Sequence, residues 1–451
     1  MATDSSPGSA GPHPPSLLLL PAPPRPAAAR HLLGAAYRAP LTAVLTRLSQ
    51  QYARQEAPGP APVLVVAVAG SSILAASSSS AETDAKAEMV RWKPAQSLLA
   101  RLYAIIASIC AERDIAAHLG SHEPGSVDAR VVLVHWSGRA EQPGLPCRHG
   151  PAVLDLAAFA AQVRPWRTLF HTSCEPGCEL LAAYLAHAEG GQKLLPSQIC
   201  AVDGDMTFSG AGSGTGSGTG SGAEVAWEKD GVGGYSTVCL GGTFDHLHPG
   251  HKLLLEAAAL LLAVPDSGVE PCTMIVGISG DELLTKKEYA SELQPWEVRA
   301  RSVVAFLSTA LSCAPTTAAA PVTRVPTTPG PEGGSSAAPE LHAALRDGAV
   351  LVRCVDIRDP FGPTVTEERI GAIVVSGETR SGGQAINDRR TARGWALLDV
   401  YEIDVLDATG TEASDGGEGG GADREARLAA KISSTEIRRR KALGRDGQGK
   451  R

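Results

Sequence analysis

Residues 238–255 read V-C-L-G-G-T-F-D-H-L-H-P-G-H-K-L-L-L, and this stretch decides the fold. An apolar strand runs into Gly241 and Gly242. A short loop follows, and His248-Pro249-Gly250-His251 opens an apolar helix. Strand, glycine turn and helix N-terminus in that order handle phosphate, because free backbone N–H groups and the helix dipole converge there. His248 and His251 stand three apart on the first turn, so both rings can face one way and donate hydrogen bonds to a phosphate. Glycines at 241, 242 and 250 leave room for close backbone approach.

Working outward, apolar runs predict strands at 272–278, 350–357, 371–375 and 397–405. Helical spacing predicts helices at 250–263, 295–311 and 382–393, and a last basic helix follows Lys431-Ile432-Ser433-Ser434-Thr435-Glu436-Ile437-Arg438. Strands alternating with helices imply a parallel sheet with right-handed crossovers and ligands at the carboxyl ends of the strands. Residues 232–445 form this unit, with disordered insertions expected at 314–339 and 407–424, both low in apolar pattern.

Upstream, residues 209–222 are a Gly/Ser/Thr-rich linker, roughly 20 Å long as a random coil. Its accidental G-x-G-x-x-G is rejected as a dinucleotide site, since the repeat is low-complexity and no helix follows. Residues 1–15 read as disordered. In 16–208, strands at 16–20, 63–69 and 131–135 alternate with helical spacing at 41–52, 97–112 and 154–163. The fold class is therefore α/β: a Rossmann-like parallel-sheet domain preceded by a smaller α/β N-terminal domain of unknown role. The histidines at 118, 122, 135, 149 and 171 lie in unrelated local settings and read as ordinary surface or core side chains.

Composition sets further bounds. With 451 residues and 43% hydrophobic content the chain can bury two or three cores. A net charge of −7 argues against a general nucleic-acid or anionic-membrane binder, the basic run Arg438–Lys441 being a local exception. Nine scattered cysteines fit a reducing compartment better than a disulfide framework. Cys174 and Cys178, with His171, Cys147 and His149 nearby, match no standard zinc spacing, so structural thiols are expected and no metal site is assigned. No run of 18 apolar residues predicts a membrane span. Arg25, Arg30 and Arg38 make the N-terminus weakly transit-like, but its prolines oppose an amphipathic helix. A cytoplasmic location is expected, with mitochondrial association as the second reading.

G-G-T-F-D-H-L-H-P-G-H resembles the first signature of the HxGH nucleotidyltransferase superfamily, and I-S-S-T-E-I-R at 432–438 resembles the second, in the same order. Between them, V-G-I-S-G-D-E-L-L-T-K-K, Q-P-W-E-V-R-A-R and V-V-S-G-E-T-R-S-G-G-Q-A-I-N-D-R-R resemble the eukaryotic-type phosphopantetheine adenylyltransferases, as in the adenylyltransferase part of bifunctional coenzyme A synthase. The resemblance covers about residues 236–445 apart from the two insertions. It implies transfer of AMP from ATP to 4'-phosphopantetheine, giving dephospho-coenzyme A and pyrophosphate, with Mg2+ carried by ATP and no protein carboxylate cage. By the same resemblance His248 and His251 hold the α-phosphate. Lys286 or Lys287 bridges the reacting phosphates, the adjacent lysines leaving open which. Gly241, Gly242, Thr243, Phe244 and Asp245 form the loop that positions the attacking phosphate. Gly250, Ser376, Thr379, Gly383, Asn387 and Arg390 serve ATP, and Ser433, Ser434, Thr435 and Arg438 make a second anion site for its β- and γ-phosphates. Ser433 with Glu436 also fits a capping box.

Rival readings are another superfamily member, a cytidylyltransferase or nicotinamide-mononucleotide adenylyltransferase, or a scaffold of a coenzyme A-synthesising complex. The near P-loop G-R-D-G-Q-G-K at 444–450 is rejected: Arg451 stands where Ser or Thr should, and no helix follows. A dephospho-coenzyme A kinase, fused at this end in larger relatives, is expected as a separate partner. The N-terminal domain is expected to be an appendage dispensable for activity.

Overall fold

The computed structural model describes residues 14–22, 30–55, 59–70, 90–136, 150–162, 165–189, 194–204, 234–263, 270–312, 321–325, 340–404, 406 and 433–448. Two sheets organise them. The first unit runs β1 (Ser16–Leu20), α1 (Arg30–Ala53), β2 (Val63–Ala69), α2 (Trp92–Glu112), β3 (Asp128–His135), β4 (Val153–Asp155), α3 (Leu156–Ala161), β5 (Leu169–Thr172), α4 (Glu175–Ala188) and β6 (Ile199–Val202). Its six strands lie in the order β4-β3-β2-β1-β5-β6, all parallel. Nearly every residue of β1, β2 and β3 is buried, as expected for strands covered on both faces. Cores on the two faces follow from the period-two alternation: Leu18 and Leu20 join the core under α1 and α2, while Leu17 and Leu19 join the one under α3 and α4.

The second unit runs β7 (Thr237–Gly242), α5 (Pro249–Ala259), β8 (Cys272–Ser279), α6 (Trp296–Ser312), β9 (Val322–Val325), β10 (Glu340–Leu345), β11 (Val350–Ile357), β12 (Ala372–Val375), α7 (Arg380–Ala392), β13 (Asp399–Glu402) and α8 (Ser434–Gln448). The order is β13-β12-β7-β8-β11-β10-β9. The first five are parallel; β10 and β9 add an antiparallel edge. The strand order reverses between β7 and β12, so a ligand crevice is expected outside their carboxyl ends.

Several expectations are corrected. The stretch 314–339 is not a plain insertion: Val322–Val325 pairs with β10 through Thr323↔His342 and Arg324↔Leu341. The rest of that stretch, apart from residue 321, lies outside the described residues, as do 209–222 and 407–424. The helix expected at 154–163 is a short strand plus a six-residue helix, because Asp155 accepts from the N–H groups of Ala157 and Ala158 and so caps the helix there. Residues 444–448 belong to α8, so no phosphate loop forms in them.

Helix α2 is long and apolar enough to cross a membrane by composition, yet 78% of its apolar window is buried inside the protein. It fills the seam between the two units, packed on α1 and α5. That seam is held by buried polar bonds as well as by apolar packing. Trp92 Nε1 donates to Ala257 O at 2.9 Å and Tyr103 to Glu256 at 2.8 Å, both buried. Lys252, 0% exposed, donates to Asp128 Oδ1 at 2.6 Å and Ala129 O at 2.8 Å. Arg130 grips the same Asp128 and reaches Thr309 at 2.6 Å and Ala305 O at 3.0 Å. Burial alone would raise the Asp128 pKa, but the Arg130 and Lys252 charges outweigh it and hold the carboxyl well below its ordinary value. A buried ionic network of this kind fixes one arrangement of the parts, because separating them would strand a charge out of water.

Candidate active site

The first motif leaves the sheet at Gly242 and turns sharply. Phe244 and His246 both hold positive φ, 51° and 45°, a conformation that side chains other than glycine adopt rarely. Such strain persists only where neighbours over-determine it, and here they do. Asp245 is fully buried; its carboxylate accepts from Gln294 N at 3.0 Å and Arg438 Nη1 at 2.7 Å. Its carbonyl accepts from Ser434 Oγ at 2.8 Å. His246 N donates to Gln294 Oε1 at 2.8 Å, and His246 Nε2 to Glu292 O at 2.9 Å. Gly242 has a steric reason: a Cβ there would stand 3.0 Å from the Phe244 ring.

His248 caps α5, its Nδ1 accepting from Gly250 N at 3.2 Å. That bond puts the ring proton on Nε2. Gly250 makes the fold-back feasible, since a Cβ would sit 3.2 Å from the imidazole. The His248 and His251 rings stack at 3.9 Å between centroids, 24° from parallel. Phe244 closes the other side of His251 at 5.3 Å. The Nδ1 of His251 is buried with no partner among the described residues. Burial lowers the pKa of both rings, His248 well below the ordinary value with His251 adding to the effect, and His251 to about 4 despite the opposing Asp245 charge. The pair is thus neutral, and acts on an anion through N–H donors rather than through charge.

The carboxyl ends of β7, β8 and β12 gather the other parts. In register, Gly241 and Gly242 face Gly277 and Ile278, and Leu240 faces Val374, so Ser376 follows beside the glycines. Arg299, 0% exposed, binds these ends from behind: it donates to Thr243 O at 2.7 Å, Ser279 O at 2.8 Å, Gln294 O at 2.9 Å and Asp281 at 2.6 Å. Reading the sequence gave Arg299 no role, although a lone arginine on the apolar face of a helix was the available signal. Ser376 and Thr379 bond each other in a capping turn at this rim. Lys286 and Lys287 are exposed on the loop after β8. Arg438 ties that loop down through Glu288 O at 3.0 Å.

The two motifs therefore meet, but some assignments change. Arg438 is 2% exposed and gives one N–H from each nitrogen to Asp245, Glu288 and Thr435, and so acts as a clamp between motifs. Ser433 Oγ accepts from Glu436 N at 3.3 Å, the capping half of its reading. Arg390 is 0% exposed and donates to the carbonyls of Ala396, Thr364, Glu367, Glu368 and Ile370, which leaves no N–H for ATP. Asn387 makes paired bonds with the Leu398 backbone, and Gly383 packs on Val400 where a Cβ would be 3.1 Å away. Arg390 and Asn387 tie α7 to the chain segments leading into β12 and β13, and Gly383 lets it lie on β13. Among the described residues no three His, Cys, Asp or Glu side chains group as metal ligands.

A sequence family described as a domain of unknown function (DUF8446) matches residues 1–208. The chain is 35% identical over 167 residues to an uncharacterized protein of Schizosaccharomyces pombe, covering 37% of this chain and 39% of that protein. It is 30% identical over 205 residues to a Saccharomyces cerevisiae protein named phosphopantetheine adenylyltransferase, covering 46% of this chain and 48% of that one. An archaeal protein of the same name, from Methanothermobacter thermautotrophicus, is 29% identical over 174 residues, 39% of this chain and 76% of its own length. The aligned regions thus span less than half the length of the two fungal relatives. Distant kinship with proteins named phosphopantetheine adenylyltransferase is what these matches establish.

Proposed function

We propose that this protein is a nucleotidyltransferase of coenzyme A synthesis that transfers AMP from ATP to 4'-phosphopantetheine. The observation that carries this reading is the neutral, stacked His248–His251 pair at the N-terminus of α5, beside the glycine end of β7 where the strand order reverses. A phosphate oxygen of 4'-phosphopantetheine attacks the α-phosphorus of ATP. The new O–P bond forms as the bond to pyrophosphate breaks, and dephospho-coenzyme A and pyrophosphate leave. No covalent enzyme intermediate is needed, so positioning and charge stabilisation carry the rate. Imidazole N–H groups donate to the α-phosphate oxygens, and the α5 dipole favours the charge gathering there. Gly241, Gly242 and Thr243 hold the incoming phosphate, and one of Lys286 and Lys287 reaches over both substrates. The N-terminus of α8 receives the outer phosphates. Magnesium enters as part of the substrate, held by phosphates and water. The test is pyrophosphate release from ATP: it should require 4'-phosphopantetheine. Release with CTP and choline phosphate, or with nicotinamide mononucleotide, would overturn the substrate assignment.

A further inference from the structure

His118 belongs to the first unit, more than one hundred residues before the motif, yet it lies against it. Leu119 N donates to Leu247 O at 3.0 Å, between the motif's histidines His246 and His248. The His118 ring meets that of His246 edge-on at 5.5 Å and 79°. His118 also shares with His248, Pro249, Ile437 and Arg440 a cavity of about 50 Å³, bounded on the other side by the end of α2. That is room for one or two small polar groups. The ring is 3% exposed, and its Nε2 has no partner among the described residues.

A buried polar atom without a partner is destabilising, a cost that an apolar side chain of similar size would avoid. Among the histidines of this cluster, the other unpartnered buried nitrogen is Nδ1 of His251. His118 thus has the same signature as a motif histidine. Burial first, then the nearby Lys441, lowers its pKa to about 3, so the ring is neutral and its nitrogen is fit to give a hydrogen bond without a charge. Glu123 lines the cavity as well, and so does Arg440, which pairs with Asp114 and Glu436.

We propose that His118 is a further binding residue of the nucleotide site, presented by the first unit, whose Nε2 bonds bound ATP directly or through one water in the cavity it shares with His248. This rests on the adenylyl-transfer reading above. It makes the first unit part of the site rather than an appendage to it.

Two measurements on the full chain test it. In 15N-histidine NMR with a non-hydrolysable ATP analogue and Mg2+, the His118 Nε2 resonance, assigned by its loss in His118→Asn, should move together with those of His248 and His251. Movement of His248 and His251 without His118 would overturn this proposal and leave the adenylyl-transfer reading standing. No movement of any of the three would overturn both. In kinetics, His118→Phe should raise KM for ATP about ten-fold, the loss of one hydrogen bond to a charged group. Its Tm should be equal or higher, because an unpaired polar atom has gone. An unchanged KM in the folded variant identifies a merely structural ring and sinks the idea.

Discussion

Breaking the Arg438–Asp245 pair tests whether the two motifs are held together by a buried charge or merely lie side by side. The pair spans 193 residues of sequence at 2.7 Å, with side-chain exposures of 3% and 0%. Removing one partner of such a pair costs about 3–5 kcal/mol, because the other charge is left buried. Arg438→Met also deletes the bonds to Glu288 O and Thr435 Oγ1, freeing the lysine loop from α8. Asp245→Asn keeps an acceptor near Arg438 and should fall at the lower end. The double variant buries neither charge, so its cost should be less than the sum of the single costs by about 2–3 kcal/mol. Urea unfolding of the four proteins gives these values from the midpoints, and pyrophosphate release gives turnover in parallel. A clamp predicts that both single variants lose stability and slow together. If Arg438→Met unfolds at the wild-type midpoint while KM for ATP rises steeply, Arg438 is a phosphate ligand and the reasoning from its burial is wrong.

The other expectations follow from the same geometry. His251→Ala should lower turnover by about 10²–10³ if the ring stabilises charge at the α-phosphate; near-normal turnover removes it from the mechanism. At the seam, Lys252→Met leaves Asp128 paired with Arg130 and should cost about 1–3 kcal/mol. Asp128→Asn leaves Lys252 and Arg130 facing one another and should cost about 3–5 kcal/mol; equal urea midpoints for the two would contradict that asymmetry. The buried histidines set a pH dependence whose sign is fixed. Their folded pKa values are depressed, to about 4 for His251 and about 3 for His118. The unfolded chain therefore takes up protons below about pH 6.5, before the folded protein does. Stability should be level above neutrality and decline as pH falls from about 6.5 towards 4, read from urea midpoints across that range. Turnover of the folded enzyme should not fall as pH rises through about 6.5, and a loss there would mean that the site histidines work as cations.

What the sequence disclosed and what it hid divide along a physical line. The glycine turn, the helix opening at Pro249 and the cap at Ser433 are legible because each is settled by residues within four positions of one another. Period and turn chemistry likewise mark the long strands β2, β8 and β11, whereas Val322–Val325 is four residues in low-complexity surroundings and becomes a strand only because β10 lies beside it. Side-chain partners are a different matter. Arg390 and Asn387 sit in a segment that reads as nucleotide-binding, yet their partners are carbonyls and amides of their own neighbourhood, and spacing cannot say which way a guanidinium points. Lys252 looks like an interruption in an apolar run, and its acceptors, Asp128 and Ala129, lie more than 120 residues away. A single charge inside an otherwise buried run is itself the signal, because the fold must supply a counter-group or suffer the desolvation of that charge. Arg130 within A-R-V-V-L-V and Lys252 within H-K-L-L-L each carry it, and each is an anchor of the seam behind the site. Sequence alone can flag such a residue as one that must find a partner, and only the fold can name it. For Lys252 the partner lies in the other unit, which is why the first turn of α5, with His248 and His251 on it, is held in place by residues that no motif includes.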